Sequence, residues 1–259
     1  MKLAEVIAAI DELYPFSSQE DWDNSGMQLG DPDAEITTVL TALDLNEGTV
    51  YEAKKYKAEL IVTHHPLFFK EFRSIDRSKG KGRLIASLIK DDIAVVSCHT
   101  NLDKAAGGVS AVLGKKLGLT LCCPFCPTEN GGSFGVIGIY PDKATLGDFA
   151  AAVKERLHLD MIRVVGNKHR LIRTVAVMGG AGSDFISAAA KAGADVYVTG
   201  DLKYHQGEEA AALDLCLIDA GHFDTEVHVI EVFTEKMAAA MPGIRFIVAE
   251  KMKNCWHVL

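Results

Sequence analysis

Two adjacent histidines, His64 and His65, stand directly after an apolar run at residues 60–63 in the segment IVTHHPLFF. Neighbouring side chains of a regular strand point to opposite faces of the sheet. At a strand end, Pro66 favours an extended or turn conformation for His65, so both imidazoles can face one cavity. Imidazole nitrogens are common ligands of zinc and related metals. The pair is therefore a candidate for metal binding, one histidine per ion, although spacing alone also fits two structural histidines.

A second polar group follows another apolar run, residues 93–97, in the segment CHTNLD. It contains His99 and Asp103, an imidazole and a carboxylate of the types that bind transition metals. The alternative is a surface turn in which Asn101 and Asp103 satisfy nearby backbone groups. Taken by itself, this segment favours the turn.

The segment DAGHFDTE supplies His222 and Glu226. We expect Asp224 or Thr225 to cap the helix that follows. Glu226 then lies in the first turn, on the same inward face as the apolar Ile230. A carboxylate on that face is costly unless it is paired or bound to a cation. The alternative is a solvated glutamate that the helix dipole stabilises.

Together these segments provide a mixed set of nitrogen and oxygen ligands: His64, His65, Asp103, His222 and Glu226. Such a set suits Zn, Mn, Fe(II), Co or Ni better than Ca or Mg. A carboxylate can bridge two ions, whereas a single imidazole nitrogen cannot. Five protein ligands with open positions are what a two-metal hydrolytic centre uses to activate water and polarise its substrate. We therefore expect two divalent metal ions per chain.

Four further residues at strand ends are candidates for supporting roles. Asp44 and His99 could orient the ligating imidazoles as neighbours of the metal site. The alternative for this pair is a turn-stabilising aspartate and a core histidine. Asp201 and His205, in TGDLKYHQ, could act as acid or base or contact the substrate.

Apolar runs alternate with helix-like stretches along the chain. The runs are residues 37–43, 60–63, 93–97, 174–178, 195–199 and 215–218. The helix-like stretches are residues 48–58, 82–90, 109–117, 146–157, 184–192 and 226–240. This alternation predicts crossover units and an α/β fold with largely parallel or mixed sheets. Ligands of open α/β sheets gather at the carboxyl ends of the strands, where the histidines and acids fall.

The irregular segment CCPFCPTENGGSFG, rich in proline and glycine, is the best candidate for a boundary between two halves. We expect an N-terminal α/β lobe at residues 1–125 and a C-terminal α/β lobe at 126–259, packed together. Cys123 and Cys126 form a CxxC pattern without a second pair, which favours a reduced structural loop over a redox or zinc site. The glycines of GGAG, residues 179–182, lack the lysine of a P-loop and indicate a tight turn rather than an anion site.

Composition restricts the classes of partner. The chain has 259 residues, 48% hydrophobic and 24% charged, which is typical of a globular protein. A formal net charge of −8 argues against a broad electrostatic contact with nucleic acid or anionic lipid. No apolar run is long enough to span a membrane, and no export signal is recognised at the start. We expect a cytoplasmic protein whose six cysteines are reduced.

Six segments of this sequence resemble the YbgI-like family of dinuclear-metal proteins, also known as GTP cyclohydrolase 1 type 2-like. They are DWDNSGMQLGD, ALDLN, IVTHHPLFF, SCHTNLD, GGAGSDFISAAAKAGADVYVTGD and IDAGHFDTE. The resemblance implies metal ligation by the same five residues named above. It also implies two similar α/β lobes around an inter-lobe cleft that holds the metals, assembled into a ring-like homohexamer. Many relatives carry an inserted middle domain, for which this chain is too short.

Trp22, Asp23 and Asn24 belong to the first of these segments. We expect them to line the substrate cleft. The alternative is a core tryptophan followed by a turn.

The leading interpretation is a dinuclear metal-dependent hydrolase acting on a small nucleotide or heterocycle. The resemblance implies GTP as substrate, with water attacking the purine at C8. The alternative is a non-enzymatic metal-binding or regulatory scaffold that contacts a protein or nucleic-acid partner.

Overall fold

The computed structural model describes residues 1–70, 73–129 and 131–257. The α-helices are α1 (Leu3–Leu13), α2 (Glu47–Tyr56), α3 (Gly80–Lys90), α4 (Thr100–Asp103), α5 (Val109–Lys116), α6 (Leu146–Arg156), α7 (Ile186–Lys191), α8 (Tyr204–Ala212), α9 (His222–Glu226) and α10 (Val229–Ala240). The strands are β1 (Gly26–Leu29), β2 (Thr38–Ala42), β3 (Leu60–Thr63), β4 (Ala94–Ser97), β5 (Thr120–Pro124), β6 (Val136–Thr145), β7 (Arg163–Val165), β8 (Leu171–Ala181), β9 (Val196–Gly200), β10 (Cys216–Asp219) and β11 (Arg245–Val248). Short 3₁₀ turns occur at Phe16–Ser18 and Ser183–Phe185.

The first of two units comprises Met1–Leu102 and Ile230–Lys253. Its sheet has the strand order β1-β4-β3-β2-β11. Strands β4, β3, β2 and β11 are parallel, and β1 pairs antiparallel with β4 at the edge. The three central strands are the apolar runs predicted from the sequence, and every residue in them is buried. Continuous apolar strands of this kind are typical of parallel sheets covered on both faces.

Helices pack on this sheet because their apolar residues recur at helical spacing. Leu40 and Ile61 of the sheet share a core with Ile85 and Leu88 of α3. At α10, the hydroxyl of Thr234 lies 2.7 Å from that of Thr41 in β2. The helices are thereby held against the sheet, and the carboxyl ends of β3 and β4 lie side by side.

The second unit comprises Asp103–Val229 and Asn254–Leu259. Its sheet has the order β5-β6-β8-β9-β10-β7. The three strands β8, β9 and β10 are parallel, and the other pairings are antiparallel. Val177, Val198 and Ile218 of the parallel strands share a core with Phe149 and Val153 of α6. The prediction of an α/β fold with two sheets is confirmed, and both sheets have mixed strand orientation.

The extents of the two units differ from the expected lobes at residues 1–125 and 126–259. The segment after Leu102 belongs to the second unit, and residues 230–253 return to the first. The return occurs because β11 pairs in parallel with β2, from Arg245 opposite Thr38 to Val248 opposite Thr41. An edge strand presents unpaired backbone N–H and C=O groups, and β11 satisfies those of β2. A pairing across about 200 residues leaves no local trace in the sequence.

Among residues 1–70, 73–129 and 131–257, the helices lack the length and apolar character that a membrane span requires.

Candidate metal centre

Three histidines converge at one end of the first sheet. His64 and His65 follow β3, and His99 follows β4, its parallel neighbour, in which Ser97 pairs with Thr63. The ring centroid of His64 lies 4.9 Å from that of His65 and 5.3 Å from that of His99. One ring nitrogen from each histidine lies within 4.8 Å of the others. Adjacent parallel strands therefore bring together imidazoles that are 35 positions apart in the chain.

Each of these three histidines has its Nδ1 held by an oxygen atom. Nδ1 of His64 lies 2.8 Å from the carbonyl oxygen of Cys98. Nδ1 of His65 lies 2.7 Å from the carboxylate of Asp44, and Nδ1 of His99 lies 2.7 Å from that of Asp23. Because these oxygens only accept, Nδ1 donates the proton and the lone pair of each neutral ring is on Nε2. This is the arrangement of metal-binding histidines, whose second nitrogen is fixed by a carboxylate or carbonyl.

Asp23 lies in the interior beneath His99, with its side chain fully buried. Besides Nδ1 of His99, it accepts hydrogen bonds from the backbone N–H and the hydroxyl of Thr100. Burial by itself raises the pKa of Asp23, but hydrogen bonds from His99 and Thr100, and the positive charge that His99 carries when protonated, outweigh it, so the pKa falls below its usual range. Asp23, predicted to line a substrate cleft, thus contacts His99. The 76 positions between the two residues explain why no sequence pattern indicated the pair.

The neighbours of Asp23 are placed differently. The Trp22 side chain is exposed, with 60% of its surface accessible. The amide of Asn24 donates to the backbone oxygen of Phe68 at 2.7 Å. The expected alternative of a core tryptophan therefore does not describe Trp22.

The second unit carries its own group of donors. His222 and Glu226 lie one turn apart on α9, with Nε2 of the imidazole 3.1 Å from Oε2 of the carboxylate. An oxygen of Asp103, at the end of α4, lies within 4.8 Å of one of Glu226. Nδ1 of His222 lies 2.8 Å from the carboxylate of Asp201. His222 therefore has the same carboxylate–imidazole arrangement as His65 and His99.

The helix around Glu226 differs from the prediction. The sequence predicts a cap at Asp224 or Thr225, with Glu226 in the first turn of a helix over residues 226–240. Instead α9 ends at Glu226, and the long helix begins at Val229. The hydroxyl of Thr225 donates to the Gly221 oxygen at 2.8 Å and accepts from the N–H of Gly180 at 2.9 Å. Thr225 thus fixes a separate short helix against β8 instead of capping the long one.

The glycines of GGAG allow this close approach. Gly180 has φ +70°, and a Cβ atom built there would lie 2.1 Å from Oε1 of Glu226. A Cβ at Gly179 would lie 3.0 Å from the backbone oxygen of Thr225. The glycines therefore make room for the Glu226 carboxylate. No ligand is needed to explain them.

Two further sequence candidates are placed by the second unit. His205 lies on α8 with 89% of its side chain exposed, and its Nδ1 pairs with Glu208 at 2.9 Å. Among the described residues, no hydrogen bond or ring contact joins His205 to His222 or Asp201. In the CxxC segment, Cys126 is buried and Cys123 is exposed, and both are free thiols. Burial raises the pKa of the Cys126 thiol to about 12, which favours the unreactive protonated form.

These donors fit a divalent metal ion. In the neutral imidazole of His222, Nδ1 donates to Asp201 and Nε2 carries the lone pair, facing a carboxylate oxygen of Glu226. Two electron-rich atoms at this distance repel each other unless a proton or a cation lies with them. The imidazoles of the first unit and the carboxylates of the second are the ligand types that zinc, manganese and iron share. The structure therefore contains histidine and glutamate groups that could hold a metal.

Comparison with known proteins places the chain in a family. The family model of Duf34/NIF3 (NGG1p interacting factor 3) matches residues 1–255. A Clostridium perfringens protein named GTP cyclohydrolase 1 type 2 homolog is 34% identical over 257 residues, covering 98% of each chain. A Streptomyces coelicolor protein of the same name is 40% identical over 232 residues, covering 87% of this chain and 81% of its own.

A solved structure agrees with these matches. The crystal structure of a Bacillus cereus protein related to NIF3 superimposes with a TM-score of 0.96 at 25% identity. The match covers 100% of this chain and 99% of the Bacillus chain. With the fold, the donor groups and the sequence in agreement, the chain belongs to the DUF34/NIF3 family.

Proposed function

We propose that this chain is a dinuclear metal-dependent hydrolase of a small nucleotide or heterocycle. Its metal ligands in this proposal are His64, His65, Asp103, His222 and Glu226. The observation that carries it is the contact between Nδ1 of each of these histidines and an acceptor oxygen, which puts the lone pair of the neutral ring on Nε2, the nitrogen that would bind a metal. That all five bind one centre with two ions stays a prediction.

The chemistry follows from what such a centre supplies. Bound divalent ions lower the pKa of water and polarise a substrate oxygen or nitrogen. The protein's part is to hold the ligands in one tautomer, through Asp44 at His65 and Asp201 at His222. His99, fixed by Asp23, is a third imidazole beside His64 and His65 that can bind substrate or move a proton at Nε2.

A cavity lined in part by His65 supports a small-molecule substrate. Its volume is about 370 Å³, within the usual range for ligand pockets. Apolar and charged residues line it together, among them Asp44, His65, Pro66, Leu67, Lys81 and Leu84. The names of the relatives suggest GTP as the first nucleotide to test.

The test is turnover by the purified protein. GTP and other nucleotides are incubated with the protein, with and without added Mn²⁺, Zn²⁺ or Fe²⁺, and products are separated by chromatography. We expect product with at least one metal and none after chelation, and loss of turnover in His65→Ala. Absence of turnover with every metal, in protein that binds metal, would favour the non-enzymatic scaffold.

Homohexameric assembly, which the family resemblance implies, also stays a prediction. Sedimentation velocity at micromolar concentration should give a species six times the mass of the 28.0 kDa chain. A stable monomer would contradict it.

A further inference from the structure

Two large aromatic side chains lie exposed beside His99. Trp22 is 60% exposed and Phe69 is 50% exposed. Their ring centroids are 5.9 Å apart, and the centroid of His99 lies 6.1 Å from that of Trp22 and 5.9 Å from that of Phe69. The interplanar angles are 63°, 75° and 78°. We call these three rings, Trp22, Phe69 and His99, the aromatic corner.

Hydrogen bonds hold this corner in place. The Asn24 amide donates to the backbone oxygen of Phe68 at 2.7 Å, and the Gln28 side-chain oxygen accepts from the Phe68 N–H at 3.1 Å. These bonds join the segment that carries Trp22 to the segment that carries Phe69. Asp23, next to Trp22, fixes the ring of His99. The His99 ring is therefore fixed and the two backbone segments that carry the other rings are joined, which lowers the cost of ordering them when a ligand binds.

The position of the corner indicates a ligand. Single exposed apolar residues are common, but grouped aromatic surface usually marks a contact site. Small-molecule sites combine an aromatic or apolar wall with a few convergent polar groups. In this protein His99 belongs both to the aromatic corner and to the group of ring nitrogens formed by His64, His65 and His99. A ligand on the corner would reach these nitrogens with its polar edge.

We propose that the aromatic corner binds the planar heteroaromatic ring of the substrate, by stacking on Trp22 or Phe69 and meeting the neighbouring ring edge-on. This deepens the proposed function, because it assigns the ring-binding residues of that site. Offset-stacked and edge-to-face contacts are the arrangements that aromatic rings prefer.

A cationic ligand fits less well. Exposed aromatic rings also bind quaternary ammonium groups. His99, however, lies among the imidazoles proposed to face divalent metal, and a second positive charge there would be repelled. A planar ring with lone pairs on its edge avoids this repulsion.

Fluorescence tests the proposal directly, because the chain has only two tryptophans, Trp22 and Trp256. In a Trp256→Phe background, Trp22 is the single reporter. GMP is titrated into the protein, with and without added Zn²⁺. A separate titration uses ribose 5-phosphate, which has the same sugar and phosphate but no heteroaromatic ring. We expect saturable quenching by GMP and none by ribose 5-phosphate.

Calorimetry with GMP then measures the contribution of each ring. Trp22→Leu should weaken GMP binding about tenfold or more, and Phe69→Leu should weaken it less, whereas Trp22→Phe should retain most of it. Tyr51→Ala removes a similarly exposed aromatic ring, 58% accessible, that contacts Lys251, and should change nothing. Thermal unfolding verifies that each variant is folded, and Zn²⁺ affinity is measured on the same samples.

Several results would overturn the proposal. Equal quenching by GMP and ribose 5-phosphate would show that the ring makes no contribution. Tighter binding of choline than of GMP would assign the corner to a cation, and Trp22 emission that changes with protein concentration alone would assign it to a second copy of the chain. Unchanged GMP affinity in Trp22→Leu would exclude the corner. Failure of the wild-type protein to bind Zn²⁺ would instead count against the proposed function.

Discussion

At the scale of single residues, carboxylates orient the imidazole rings for metal binding. Asp44, Asp23 and Asp201 each accept from Nδ1 of a histidine, at 2.7 to 2.8 Å. Such partners fix the ring orientation and raise the basicity of the ligating nitrogen. The effect of each carboxylate on its histidine can therefore be measured as a change in metal affinity, without an activity assay.

Removing one of these partners should weaken metal binding. We predict that Asp44→Ala lowers Zn²⁺ affinity about 10- to 100-fold, because His65 loses the acceptor that holds its tautomer. Asp33→Ala is the matched control, since Asp33 is an exposed aspartate of the same unit whose carboxylate pairs with Lys2. Competition with a chromogenic chelator measures both. Equal affinities for the two variants would mean that Asp44 does not support a ligand.

A buried thiol gives a second prediction at this scale. Burial raises the pKa of Cys126 to about 12. A thiol in the unfolded chain ionises at about pH 8.5, so the contribution of Cys126 is complete below that pH and is lost as pH rises towards 12. The loss reaches at most about 1.4 kcal/mol per pH unit.

Urea unfolding at intervals from about pH 7.5 to 10.5 tests this effect. Cys126→Ala should be less sensitive to alkaline pH than wild type, whatever its stability at neutral pH. Cys255→Ala, which removes an exposed thiol, should follow the wild-type slope. Parallel slopes for all three proteins would show that Cys126 ionises normally in the folded state.

At the scale of elements, the approach of α9 to β8 decides where His222 and Glu226 lie. Gly180 permits that approach, since a Cβ there would lie 2.1 Å from the Glu226 carboxylate. Thr225 adds a hydrogen bond between the helix and the strand. The positions of His222 and Glu226 therefore depend on Gly180, a residue of β8 that has no side chain.

Gly180→Ala should displace Glu226 and weaken Zn²⁺ binding at least about tenfold, while the unit remains folded. Gly193→Ala is the control for backbone strain: its φ is +80°, but a Cβ there meets nothing within 4 Å. Both variants should lose about 1 to 2 kcal/mol of stability from the left-handed backbone. Only Gly180→Ala should lose metal affinity. A similar loss in both would assign the effect to strain.

At the scale of the whole molecule, metal binding should appear as folding stability. A ligand that binds only the folded state at 100 times its Kd stabilises it by about 2.7 kcal/mol. For a chain of this size that corresponds to about 5 to 10 °C in Tm. Chelation should therefore lower the Tm of metal-loaded protein by this amount.

Glu226→Gln separates this effect from general destabilisation. The amide keeps the shape of the side chain and loses its charge, so chelation should change the Tm much less than in wild type. Glu231→Gln, at an exposed position on α10, should respond like wild type. Differential scanning calorimetry with and without chelator gives both shifts. The same shift in all three proteins would remove Glu226 from the ligand set.

The sequence by itself determined the fold class and the chemical types in the candidate site. Apolar runs that end at histidines and acids became the central strands of both sheets, because period and burial are local properties of the chain. The family resemblance was carried by the same segments, and it is confirmed.

Only the tertiary structure decided which of those groups meet. Asp23 reaches His99 across 76 positions, and β11 returns to β2 across about 200. The tertiary structure also holds the short helix α9, which ends at Glu226, against β8, because the Gly180 N–H donates to the Thr225 hydroxyl. Hydrogen bonds of this kind depend on where loops cross in space, and periodicity along the chain records only which face of an element is buried. The carboxylate partners of the histidines were therefore fixed by the fold.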